Sequence, residues 1–263
     1  MSMYLPVPPQ PDCVSAWREA VRLVDQQSQH HAYNVIIDVV DPLARASLAD
    51  PVIAAVDAFH QAHDAKRIET VANTIFPAGL YRRYGFPNFF DRFRDNVLPK
   101  VRGKKPTWSG YYFERMMLLP QAQGEPLNQL EEIIGRLKNP NVRALNKFEL
   151  SVFDPLRDVD DSPYGGQCLS FASFKLIGEG ADRRLGLTAM YRNHYYIEKL
   201  LGNLIGLGRL LDFVATEAKI PRGSLTIVST HAKIDTDKWN RSAILPMLSA
   251  CDQASAQLLA TAP

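Results

Sequence analysis

Two hydrophobic rhythms alternate along the chain, and their order predicts a protein that mixes helices with strands. A 3.6-residue rhythm marks residues 15–29, where Trp17, Val21 and Val24 share a face, and residues 52–63, where Ile53, Val56 and Phe59 do so. Asp50-Pro51 gives the second of these a capping carboxylate and a proline at the first helical position. Helices are also predicted over 68–76, over the aromatic stretch 88–97, and over 127–137, whose face carries Leu130, Ile133, Ile134 and Leu137. Runs rich in β-branched and aromatic residues predict strands at 34–40, 145–153, 168–176, 185–191 and 225–229. Between the last two lies 197–218, a long helix with an apolar stripe from Ile197 through Leu204 to Val214. Its glycines, Gly202, Gly206 and Gly208, each cost roughly 1 kcal/mol relative to alanine. They are expected where another backbone packs close against the helix. The opening, 1–14, is proline-rich and reads as an extended arm, which leaves 15–263 as one α+β domain.

Composition narrows the class without naming a function. The chain has 263 residues, enough for a substantial core, with 46% hydrophobic and 22% charged residues. A net charge of +2 does not by itself point to nucleic acid. No apolar run is long enough to span a membrane, because Glu198, Lys199, Arg209 and Asp212 interrupt the most hydrophobic helix. The three cysteines, Cys13, Cys168 and Cys251, lie far apart with no CxxC pair, which argues against zinc and against a disulfide scaffold. Their odd number and the lack of a secretory leader predict a cytoplasmic protein. No glycine-rich phosphate loop precedes a helix, so a Rossmann or P-loop nucleotide fold is excluded.

The candidate chemistry gathers late in the chain. Cys168 follows two glycines at the mouth of a strand, where a thiol can meet a ligand. From position alone, a half-buried core cysteine is the commoner reading. Asp154, Asp158, Asp160 and Asp161 precede it in an acidic loop, for which exposed carboxylates are commoner than a cation site. His60 and His63 stand one turn apart without a third ligand and read as exposed or capping residues. No metal is therefore expected. The basic loop Val101-Arg102-Gly103-Lys104-Lys105-Pro106 reads by default as solvated.

The segments Gln167-Cys168-Leu169, Tyr191-Arg192-Asn193-His194, the helix at 197–218, and Gly223-Ser224-Leu225 leading to His231-Ala232-Lys233-Ile234-Asp235 resemble, in order and spacing, the C-terminal half of the thymidylate synthase and deoxycytidylate hydroxymethylase superfamily. The stretch from Trp108 to Arg115 is loosely similar to a tyrosine- and tryptophan-bearing segment near that family's active site. The resemblance implies a twisted mixed β-sheet with a long central buried helix, and a homodimer joined through one sheet face. It implies a cysteine that adds to C6 of a pyrimidine nucleotide, so that C5 takes a methyl or hydroxymethyl group from methylenetetrahydrofolate. Cys168 stands at the nucleophile's place. Arg192, displaced by one residue, and Arg143, reaching toward a partner's site, stand for phosphate-holding arginines. Asn193, His194, Asn203, Lys233 and Asp235 fall at or beside substrate-binding places, and His194 is a candidate base or phosphate ligand. Glu69 matches a glutamate that organises proton transfer, and equally reads as an exposed helix residue.

Several polar residues of that pattern are changed. Gln167 replaces the proline before the nucleophile, Leu169 the histidine after it, and Leu204 the asparagine that reads the base. Losing a buried reader of the base changes the substrate, because the unmatched polar edge is costly to bury. Two functions follow as expectations. One is a thymidylate synthase-like methyltransferase or hydroxymethyltransferase that binds a pyrimidine nucleotide and folate. The other is a diverged, non-catalytic homodimer that uses the same cleft for a nucleotide, a nucleic acid or a protein.

Overall fold

The computed structural model describes residues 3–104, 110–142, 144, 146–159 and 166–261. The chain enters through β1 (Leu5–Pro6) and α1 (Cys13–Asp25), then β2 (His31–Val39). A helical block follows: α2 (Pro51–Ala62), α3 (Ile68–Ile75), α4 (Ala78–Tyr84), α5 (Asn88–Arg92), α6 (Leu98–Lys104), α7 (Tyr112–Met117) and α8 (Gln129–Lys138). After it come β3 (Phe148–Ser151), α9 (Pro155–Asp158), β4 (Leu169–Ile177), β5 (Arg184–Tyr191) and β6 (His194–Tyr195). A π-helical turn at Tyr196–Leu200 leads into α10 (Leu201–Ala218), and β7 (Arg222–Lys233) and α11 (Arg241–Thr261) close the chain.

The strands form one open mixed sheet in the order β1-β2-β7-β5-β4-β3, with β6 also on β7. β7 runs antiparallel to β2 and parallel to β5, and β4 runs antiparallel to both its neighbours, β5 and β3. The predicted strand at 145–153 shortens to β3, and Leu145 itself lies outside the described residues. The proline-rich opening is extended as expected, but it is tied down. β1 pairs parallel with β2, Val7 is buried, and the Asn34 amide donates to the Met3 carbonyl at 2.7 Å.

Strand alternation divides the sheet into two unlike faces. Val35 and Ile37 of β2, Leu225 and Ile227 of β7, and Leu187 and Ala189 of β5 point inward and are buried. α10 packs on that face and separates it from α3. The other face carries a row of aligned residues, Ile36, Val228, Met190 and Phe171, one from each of four neighbouring strands. Met190 is exposed and the other three are half-buried.

α10 is the buried helix that the apolar stripe predicts. The glycine expectation also holds. A Cβ on Gly206 would lie 2.8 Å from the Ala72 carbonyl oxygen of α3, and one on Gly208 would lie 2.6 Å from the Pro42 carbonyl oxygen. Both clashes would be with backbone, which cannot step aside. The helix start differs from expectation. Its first turn is π-helical, wider by one residue, and its peptide groups are held from three directions. The Trp17 indole donates to the Tyr196 carbonyl at 2.8 Å, and His60 Nε2 donates to the Ile197 carbonyl at 3.1 Å. The Ile197 N–H donates to Asp235 Oδ2 at 2.8 Å. His60 is thus a core residue and not an exposed one, whereas His63 does cap α2 by bonding the Phe59 carbonyl.

Candidate active site

Cys168 sits immediately before β4, and its position is fixed through its neighbours' backbones. Its carbonyl accepts the Arg192 N–H at 2.9 Å, which joins the start of β4 to the end of β5. Arg192 Nε donates to the Gln167 carbonyl at 3.0 Å, and the buried Gln167 amide donates to the Gly110 carbonyl at 3.1 Å. Gly166 turns the chain into this arrangement with φ +65°, and a Cβ there would stand 3.2 Å from the Asp158 carbonyl oxygen. Asp158 is buried in a two-pronged pair with Arg115, at 2.7 and 3.2 Å, and Asp154 caps α9. The described members of the acidic loop therefore serve structure, while Asp160 and Asp161 lie outside the described residues. Beside Cys168 opens a cavity of about 150 Å³. Its wall includes Tyr112, Gln167 and Asn203, the hydroxyl of Thr74, and the cations Lys66 and Lys199.

Burial pushes the Cys168 thiol above its ordinary range, and the charges of Arg192 and then Lys199 oppose that rise. The other two thiols lie deeper. Cys13 is fully buried, donates to the Pro42 carbonyl at 2.9 Å and is raised by burial and by Asp12. Cys251 is buried and pushed up to about 12. Around Cys168 two phenols stay neutral. Tyr112 is raised by burial and by the nearby thiol, and Tyr191 by burial and by Tyr112. The fully buried Tyr191 hydroxyl has no hydrogen-bond partner among the described residues. The local chemistry is that of a thiol whose ionised form is favoured by two cations, one of which, Lys199, lines a small polar chamber.

No protein-family model matches the chain. Curated relatives do. It is 34% identical over 110 residues to a protein of Methanothermobacter thermautotrophicus named "Putative thymidylate synthase", covering 41% of this chain and 45% of that one. Proteins of the same name from Methanococcoides burtonii and Methanosarcina mazei are each 27% identical, over 117 and 115 residues, covering 44% and 43% of this chain and 49% of each relative. The chain is similar to these proteins over less than half of its own length. The match spans about half the length of these relatives.

The residues expected at the site divide into two groups. Asn203 is buried in the cavity wall, while Cys168 and the exposed Arg192 adjoin the wall residue Gln167. Asn193 lies next to them, its Oδ1 accepting from His231 Nδ1 at 2.9 Å. His194 and Asp235 instead point into the core. His194 is 1% exposed, stacks on Tyr191, bonds Ser229 and Asn203, and burial lowers its pKa to about 3. Such an imidazole is neutral at pH 7, too weak a base to gain a proton there and too deep to meet a phosphate. Asp235 is 0% exposed and raised to about 7, chiefly by burial, with Oδ2 engaged at Ile197. Lys233 is half-buried, paired with Asp237 at 2.7 Å and lying over the Tyr195 ring. Glu69 is paired with Arg209 at 2.7 Å and also accepts from Asn73. Arg143 lies outside the described residues.

Sequence reasoning missed Lys199, Tyr112 and Tyr191 as neighbours of the thiol, and Lys66 as part of the cavity wall. Lys199 had a signal, a cation inside an otherwise apolar helix. Its direction could not be read, because the π-turn shifts the helical phase by a residue. Among the described residues, no group of three His, Cys, Asp or Glu side chains is arranged to hold a metal.

Proposed function

We propose that the chain is a thymidylate synthase-like one-carbon transferase in which Cys168 adds to C6 of a pyrimidine nucleotide, activating C5 to receive a methyl or hydroxymethyl group. The observation that carries this reading is a strand-mouth thiol under the charges of Arg192 and Lys199, next in the chain to Gln167 of a polar cavity's wall. The relatives' names supply the reaction class. In the addition, the Sγ–C6 bond forms as the C5=C6 π bond opens, and the electron pair passes to C5 and the ring oxygen. Lys66, Lys199 and the Tyr112 hydroxyl offer positive charge and donors where that negative charge grows.

Methylenetetrahydrofolate, the donor implied by relatedness, would supply the one-carbon unit. A cavity of about 150 Å³ is smaller than the roughly 300–1,000 Å³ of pockets that take drug-sized ligands. The described residues alone do not fit a pterin laid on a nucleotide.

The reading includes a thymidylate synthase-like fold over residues 15–263, supported by one continuous hydrophobic core from α1 to α11. It also includes a twofold dimer through the sheet, supported by the uncovered row Ile36, Val228, Met190 and Phe171. A strictly monomeric mass at micromolar concentration would count against that dimer. No helix among the described residues is long and apolar enough to cross a membrane. The three free thiols support a cytoplasmic setting.

One observation favours the non-catalytic alternative: burial still holds the Cys168 thiol above its ordinary range. Transfer of labelled one-carbon units, or tritium release from C5 of labelled uridine and cytidine nucleotides, separates the two. Wild type should give signal and Cys168→Ser none, with the fold unchanged, because serine is the poorer nucleophile. No signal from wild type across these nucleotides with folate present would leave only the binding reading.

A further inference from the structure

A second cluster of chemistry lies where β2 begins and β7 ends. Strand register places Tyr33 opposite His231 and His31 opposite Lys233. His31 Nδ1 and His231 Nε2 face each other at 3.2 Å, with the rings nearly perpendicular at 86°. Tyr33 stacks on His231 with ring centres 5.3 Å apart. The pair borders an open cavity of about 260 Å³, also lined by Gln29, Thr236 and Asp237. The backbone before it is unusual. Gln29 and His30 both take left-handed conformations, φ 58° and 56°, which cost energy for residues other than glycine and gather at functional sites.

The tautomers can be read from the partners. The Asn193 amide oxygen can only accept, so His231 Nδ1 carries the proton and its Nε2 presents a lone pair toward His31. Without a ligand, His31 Nδ1–H donates to that lone pair. If the His31 proton moves through solvent to Nε2, each ring turns a lone pair toward the other, with no net proton released. Two nitrogens bound to a tetrahedral zinc at about 2.0–2.1 Å stand about 3.3 Å apart, close to the spacing found here. The outer nitrogen of His231 is already fixed by an acceptor, as imidazole ligands of metals commonly are. The nearby Lys233 charge is paired with Asp237, and His30 is turned away onto the Asp25 backbone and carboxylate.

We propose that His31 and His231 form a two-imidazole site for a borderline divalent cation such as zinc, cobalt or nickel, with Gln29 or water completing the coordination. Imidazole ligands select such metals over magnesium or calcium. The site joins β2, β7 and the turn bearing Asn193. A bound ion would therefore brace the loop that also carries Arg192.

The test is titration of the full chain with Co²⁺ at pH 7.5, by visible absorption and calorimetry, with Zn²⁺ in competition. Wild type and Cys168→Ser should each bind one ion per chain and gain thermal stability from it. His31→Gln or His231→Gln should abolish the cobalt spectrum, and Asn193→Ala should weaken binding by about 10–100-fold, as expected when the outer partner of a ligand is lost. His63→Gln should bind as wild type does. Absence of binding to the wild type would overturn the site, as would binding that survives both histidine changes or disappears in Cys168→Ser.

Discussion

Two groups of polar residues near the start of α10 behave in opposite ways. At the cavity, Cys168, Arg192 and Lys199 keep access to solvent, and their charges act on one another across open space. A helical turn away, Trp17, His60 and Asp235 are fully buried and spend their polar atoms on the backbone of residues 196–197. The rim can exchange partners with a ligand, and the clamp cannot. Polar residues near a reactive thiol therefore fall into those that meet substrate and those that hold the platform. Burial, not distance along the chain, sorts them.

The largest expected effect breaks the clamp. Trp17→Ala should cost about 3–5 kcal/mol by denaturant unfolding, from the emptied core volume. It also strands the buried Tyr196 carbonyl. Alkylation of Cys168 in the remaining folded protein should be unchanged. A stability loss below 1 kcal/mol would show the clamp to be dispensable.

An intermediate effect uses pH. Asp235 has a folded pKa near 7, raised from 3.8, so the folded state holds the proton more tightly than the unfolded one. Its contribution to stability is complete below about pH 4 and is lost as pH rises through 7. His194, lowered to about 3 from 6.5, does the reverse: its contribution is present above 6.5 and lost as pH falls toward 3. The two slopes oppose each other in the wild type between about pH 4 and 6.5. Asp235→Asn should therefore gain on wild type with rising pH, by a few kcal/mol at most on the order of the pKa displacement. A stability difference between them that is flat from pH 4 to 8 would refute the assignment.

The smallest effect tests the rim. Lys199→Gln should slow iodoacetamide alkylation of Cys168 near neutral pH by about two- to tenfold, the result of raising a thiol pKa by a fraction of a unit to one unit. High salt should shrink that difference by screening. Cys13 and Cys251 should react only on unfolding. Equal rates at all three thiols would reduce Cys168 to a core residue.

Much of the scaffold was legible, because periodicity reports which side of an element is apolar. The stripe from Ile197 to Val214 located α10, and the glycines announced close backbone contact before any neighbour was known. The site was legible only in part. Cys168, Arg192 and Asn203 follow from element order, but whether His194 faces cavity or core depends on β6 pairing with β7 through two residues, His194 and Tyr195, too short a strand to show a pattern. The facing of His31 and His231 depends on the register between strands 200 residues apart, to which neither strand's own alternation is sensitive. The π-turn at 196–200 hid Lys199 for the same kind of reason, since a single widened turn leaves no mark on hydrophobicity.

The sheet's outer strands have a consequence for how the protein fails under stress. β1 is two residues long and sits among Pro6, Pro8 and Pro9, and β3 has only four residues with the Lys175–Glu149 ion pair across it. Neither border offers the long, flat row of free amides that a second chain needs as a template for ribbon-like growth. Clumping on heating should therefore wait for the inner strands to come apart. It should appear as amorphous precipitate after the unfolding transition, and not as fibrils seeded by the native protein.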